Sequence, residues 1–135
     1  MRQSTAHPPT GEDLDQRPPD VEVMRASTAL LLDPDGVPEA LPPAADELAT
    51  LTEAIRGHLE LIGPEVARAA GRLDKESIPR YCAIACVGEA RGKLRAAPGP
   101  GQDGAVAYAR RLARVLNALC DHWENLHSTG AGADQ

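Results

Sequence analysis

From Leu48 to Leu73 the apolar residues Leu48, Leu51, Ile55, Leu59, Ile62, Val66, Ala69 and Leu73 recur at spacings of three and four without a lapse. At about 100° per residue this pattern draws one stripe along a helix, and a helix with such a stripe must bury it against a partner. Gly63-Pro64 falls inside the stripe, where an interior proline removes one backbone hydrogen bond and costs about 3 kcal/mol. The stripe nevertheless keeps its phase across the interruption. The sequence therefore predicts one helix, starting between Pro43 and Asp46 and kinked at Gly63-Pro64, rather than two independent ones.

Three further helices follow from the same reasoning. Asp20, directly after Pro18-Pro19, is a good N-cap for a short helix carrying Val21, Met24, Thr28 and Leu31, which Asp33-Pro34-Asp35-Gly36 stops. A helix this short needs docking to persist. Another starts at Ser77 or Ile78, with Pro79 in its first turn where the missing N–H costs little, and runs to about Ala96. Its residues Ala83, Val87, Ala90 and Leu94 form one apolar face, and Tyr81, Ala85, Gly88 and Gly92 a second face of mostly small residues. Two packing faces place this helix in the middle of a bundle. After the break Pro98-Gly99-Pro100-Gly101-Gln102, Asp103 is expected to cap a long last helix carrying Tyr108, Leu112, Val115, Leu116, Leu119, Trp123 and Leu126. Short connections make the last three helices sequentially antiparallel. The predicted fold is all-α: a compact antiparallel bundle of three long helices plus a short N-terminal one.

At 135 residues the chain supports one such core and not two. Phe is absent, and Tyr81, Tyr108 and Trp123 are the only aromatics, so Leu, Ile, Val and Ala must build the core. Eight of the twelve prolines precede Ala44, and residues 1–19 lack apolar periodicity, so they are expected to be a disordered tail. Residues 129–135 are small and polar and are expected to be a flexible tail, leaving 20–128 as the domain. The net charge of −6 is uneven: residues 1–43 hold three basic and eight acidic groups, and 44–135 hold eleven and twelve. The nearly neutral domain gives no general attraction for nucleic acid. No segment reaches the roughly 18 apolar residues of a membrane span, and Met1-Arg2-Gln3-Ser4-Thr5 does not open a signal segment, so a cytoplasmic location is expected. An odd count of three cysteines there fits reduced thiols.

Candidate chemistry rests on few residues. Cys82 and Cys86 lie one helical turn apart and thiolates bind zinc, but Cys120 and His122 are about 200° apart around a helix and cannot share an ion with them. Asp121-His122-Trp123-Glu124-Asn125 puts an imidazole between carboxylates, yet helical geometry sends Asp121 to solvent with Arg110, Arg114 and Asn117, and no nucleophile is placed. His58 sits beside the apolar stripe outside any His-Glu-x-x-His spacing. The candidate pocket residues are thus His58, Cys86, Cys120 and His122, with no metal, cofactor or catalytic residue assigned. Arg91, Lys93 and Arg95, followed across the loop by Arg110, Arg111 and Arg114, form a candidate surface for an anion or a partner.

Several short segments carry a resemblance: Met24-Arg25-Ala26, Leu51-Thr52, Ile55-Arg56-Gly57-His58, Ile62-Gly63-Pro64-Glu65-Val66, Ile78-Pro79-Arg80, Gly88-Glu89-Ala90-Arg91 and Leu119 to Leu126. In order, from about Val21 to Leu126, they resemble an actinobacterial family of short proteins of unknown function labelled natural product biosynthesis proteins. The resemblance implies an association with specialised-metabolite gene clusters and supplies no catalytic residues. The leading expectation is a non-catalytic helical accessory or protein-interaction module, with another protein or a second copy of itself as partner. The alternatives are a small helical enzyme or metabolite-binding protein using the His/Cys set, and a nucleic-acid-binding regulator using the arginine surface.

Overall fold

A computed structural model describes residues 18–32 and 44–133, with side chains through Ser128. The expectations for residues 1–17, for the Asp33 to Gly36 stop and for the side chains of the C-terminal tail lie outside the described residues. Four helices make up the described chain: α1 (Val21–Leu32), α2 (Ala45–Gly71), α3 (Ile78–Arg95) and α4 (Gly101–Ala133). No strand occurs among the described residues.

Local chemistry accounts for most of the helix ends. Asp20 Oδ1 accepts from the Val23 N–H at 3.2 Å, and its carbonyl accepts from Met24 N–H at 3.1 Å. Ser77 does the same for α3, its Oγ accepting from Arg80 N–H at 3.2 Å with Pro79 in the first turn. α2 passes through Pro64 as one helix; Gly63 is buried, and the proline ring lies on the exposed side, where it displaces no packing.

The start of α4 corrects the expected cap. The helix begins at Gly101, at φ +74°, and Asp103 sits inside the first turn. Glycine at Gly101 adopts the left-handed conformation without steric cost, so the chain enters the helix two residues early. The turn closes tightly: a Cβ on Gly104 would fall on the carbonyl group of Gly99.

The stripes read from the sequence meet in one core. Ile55, Leu59, Ile62 and Val66 of α2 are buried with Leu112, Leu116 and Leu119 of α4, Ala83, Val87 and Ala90 of α3, and Met24 and Leu31 of α1. Paired cross-helix contacts give the antiparallel sense of neighbours: Arg56 of α2 reaches Leu94 late in α3 while Arg80 early in α3 reaches the Gly71 carbonyl at the end of α2, and Arg25 of α1 reaches Asp121 of α4 while Thr28 reaches Asn117. Contrary to the central place expected for α3, the most extensively packed helix is α4, which like α2 contacts all three others, whereas α3 packs mainly against α2 and α4. The buried set of α4, from Val106 through Tyr108, Ala109, Ala113 and Cys120 to Leu126, spreads over a broad arc rather than a narrow stripe. α3 packs through one face only. Tyr81, Ala85 and Gly88, from the face expected to receive another helix of the bundle, are exposed.

Candidate functional site

The four candidate pocket residues do not converge on one cleft. His58 is half-buried on α2 and lies 3.5 Å from Ser27 Oγ of α1. It lines a cleft of about 430 Å³ with Pro19, Asp20, Met24, Leu61 and Pro64, and neither Cys86, Cys120 nor His122 is among its walls. Burial holds the His58 pKa below its ordinary value, against a smaller opposing pull from Asp20. Cys86 and Cys120 are buried core residues whose thiols are pushed up to about 11, mainly by desolvation. A thiol in that state is a packing group and a poor nucleophile. His122 is half-buried on α4, and Cys82 is exposed on α3. Among the described residues, no group of three or more His, Cys, Asp or Glu side chains is placed to hold a metal ion.

The acidic cluster around His122 has a structural partner that local spacing does not reveal. Asp121 and Glu124 both accept from Arg25 Nη2 of α1 at 2.7 Å. Those bonds, led by Asp121, raise the Arg25 pKa further. Asn117, expected in solvent, is half-buried, and its Oδ1 accepts from the fully buried Thr28 hydroxyl at 2.6 Å. α1 therefore covers the face of α4 that the sequence left open, and its Arg and Thr give that contact a fixed register.

The six basic residues lie on two helices. Arg91, Lys93 and Arg95 lie along the last turns of α3, and Arg110 and Arg114 share the α4 face of Asn117 and Asp121 at helical spacing, with Arg111 exposed off that face. None of the six forms an ion pair among the described residues.

Two further features emerge, one that sequence reasoning missed and one that it assigned to packing within the bundle. One is a second cleft, about 680 Å³, where α2, the end of α3 and the first turns of α4 meet. Arg56 crosses it, donating to the Tyr108 hydroxyl through Nη1 and to the Leu94 carbonyl through Nη2 at 3.1 Å. Tyr108 in turn donates to the Lys93 carbonyl at 3.3 Å. The Arg56 bond satisfies the Leu94 carbonyl at the end of α3, while the Lys93 carbonyl also accepts from the Ala96 N–H at 3.2 Å. The Ile55-Arg56 segment carried no signal for this, because Arg56 lies off the apolar stripe and its partners are 38 and 52 residues away.

The other feature is the outward face of α3. Ile78 is 74 % exposed and Tyr81 75 %, and they continue at helical spacing into Ala85, Gly88 and Gly92. A Cβ added at Gly88 or Gly92 would meet nothing within 4 Å. Charges of both signs surround this face: Asp74, Lys75, Glu76 and Arg80 near the bulky end, and Glu89, Arg91, Lys93 and Arg95 near the small end.

Fold and site together define a small helical-bundle domain in which Arg25, Thr28 and Arg56 tie helices to one another. The chain belongs to a family of unknown function (DUF6415), whose model matches residues 22–128. No curated protein and no solved structure matches it significantly. Among the described residues, no helix is long and apolar enough to cross a membrane.

Proposed function

We propose that this protein is a non-catalytic helical interaction module that works as a homodimer, paired through the outward face of α3, as an accessory in cytoplasmic specialised-metabolite biosynthesis or its regulation. The biosynthetic setting is supported by the resemblance of the segments between Val21 and Leu126 to proteins carrying that label. The interaction role is supported above all by one observation: Ile78 and Tyr81 stand three-quarters exposed on the same helix face as an uninterrupted row of small residues. Large exposed apolar groups on a continuous face favour association, because pairing removes them from water.

The shape of that face selects a second copy as the occupant. It is bulky at its N-terminal end and small at its C-terminal end. In an antiparallel pair crossing between Ala85 and Gly88, Tyr81 of each copy lies over Gly92 of the other, and small residues at the crossing let the backbones approach closely. A parallel pair would set Tyr81 against Tyr81.

Sedimentation velocity across a range of concentrations tests the reading. The wild-type chain is expected at twice the chain mass, and Tyr81→Glu at the single-chain mass with unchanged helicity by circular dichroism. A wild-type chain that stays monomeric at all concentrations, or a dimer indifferent to Tyr81→Glu, overturns it.

A further inference from the structure

The cleft crossed by Arg56 has no part in the pairing face. Its walls are mainly apolar, with Leu48 and Ala49 from α2, Leu94 from α3 and Ala105 from α4. Its volume of about 680 Å³ falls in the range of clefts that hold small molecules. The charges at its rim are those of Arg56 and Arg95 against Glu53, a local positive excess in a chain with a net charge of −6.

Arg56 is the informative group. A guanidinium carries five N–H donors, and the two contacts it makes here go to neutral acceptors, the Tyr108 hydroxyl and the Leu94 carbonyl. Among the described residues no carboxylate stands within ion-pair distance of it, Glu53 included. A partly desolvated cation held rigid by two fixed acceptors and lacking a counter-charge is costly for a fold to keep. It is also a preorganised receptor, since its ordering cost is met before any ligand arrives. Capping the end of α3 needs only a donor and does not call for a charge in an apolar cleft.

We infer that this cleft binds a small organic carboxylate, the carboxylate oxygens meeting the free N–H groups of Arg56 and the apolar body lying against Leu48, Ala49 and Leu94. Guanidinium and carboxylate match in planar, charge-assisted geometry, and the apolar walls favour a hydrocarbon body over a bare anion.

Titration followed by NMR with octanoate, its neutral twin octanamide and inorganic phosphate tests the inference on the full chain. Octanoate is expected to shift the Leu48 and Leu94 methyl signals and the Arg56 Nε–H signal in a saturable manner. Octanamide is expected to bind about tenfold more weakly, the equivalent of losing one charge-assisted contact. Arg56→Gln should lose octanoate binding by a similar factor. Because that variant also removes a cap from α3, Ala49→Trp provides the second arm: it fills the cleft from an exposed position without touching the Arg56 contacts, and should abolish binding while the fold is kept. No saturable shift with octanoate overturns the inference. So does octanamide or inorganic phosphate binding as tightly as octanoate, or Ala49→Trp binding as the wild type does.

Discussion

Thr28 of α1 places its hydroxyl 2.6 Å from Oδ1 of Asn117 on α4, across 89 residues of sequence and with Thr28 itself almost wholly buried. One helical turn further on, Arg25 bridges Asp121 and Glu124. This seam binds the shortest helix to α4 and fixes its register, which apolar burial alone does not specify. Thr28→Val keeps the shape and removes the donor, leaving the Asn117 amide half-buried without it. The expected cost is about 1–3 kcal/mol in urea denaturation. Arg25→Met, at a solvent-facing pair, should cost only about 0.2–1 kcal/mol and lose its effect in high salt.

His58 makes stability depend on pH. Burial favours its neutral form in the folded chain, so the unfolded chain binds the extra proton more readily in acid. The contribution is fully present above the unfolded value of about 6.5 and is lost as pH falls through the lower folded value. Urea midpoints at pH 7.5 and 5 should therefore fall on acidification by less in His58→Gln than in the wild type. An NMR titration of the His58 ring checks the direction of the shift independently.

The glycines of the helices should respond with opposite signs. At Gly57 a Cβ would enter open space, so Gly57→Ala should stabilise α2 by roughly 0.5–1 kcal/mol. At Gly104 the added methyl meets the Gly99 backbone, and Gly104→Ala should destabilise by about 1–3 kcal/mol although it raises helix propensity. Thermal denaturation of the two variants measures both signs.

Thiol labelling separates the three cysteines. Exposed Cys82 should react with a soluble disulfide reagent at neutral pH. Cys86 and Cys120, buried and raised to about 11, should wait for unfolding. Rapid labelling of all three in the native protein would contradict the packing role given to the latter two.

The sequence made the helices legible because each carries its own apolar period, and it made the Asp20 cap and the start of α3 at Ser77 or Ile78 legible because such signals act within three residues. It misplaced what depends on distant partners. Asn117 looks like a solvent-facing residue until Thr28, 89 residues earlier, is laid over it, and exposed Asp121 gives no local sign of its ion pair with Arg25. The small-residue row of α3 reads as a contact within the bundle, yet α4, with its broad apolar arc, is the more extensively packed helix. Arg56 and Tyr108 join across three helices, a relationship that no local spacing records.

The pairing of α3 with a second copy is the centre of this account, and disulfide trapping tests it most directly. On a Cys82→Ser background, chains carrying Ala85→Cys and chains carrying Gly88→Cys are mixed and oxidised, and the products are separated by mass spectrometry. The antiparallel crossing predicts that the mixed disulfide between the two variants dominates. Chains that remain uncrosslinked, or that link each variant to itself in preference to the other, would contradict it.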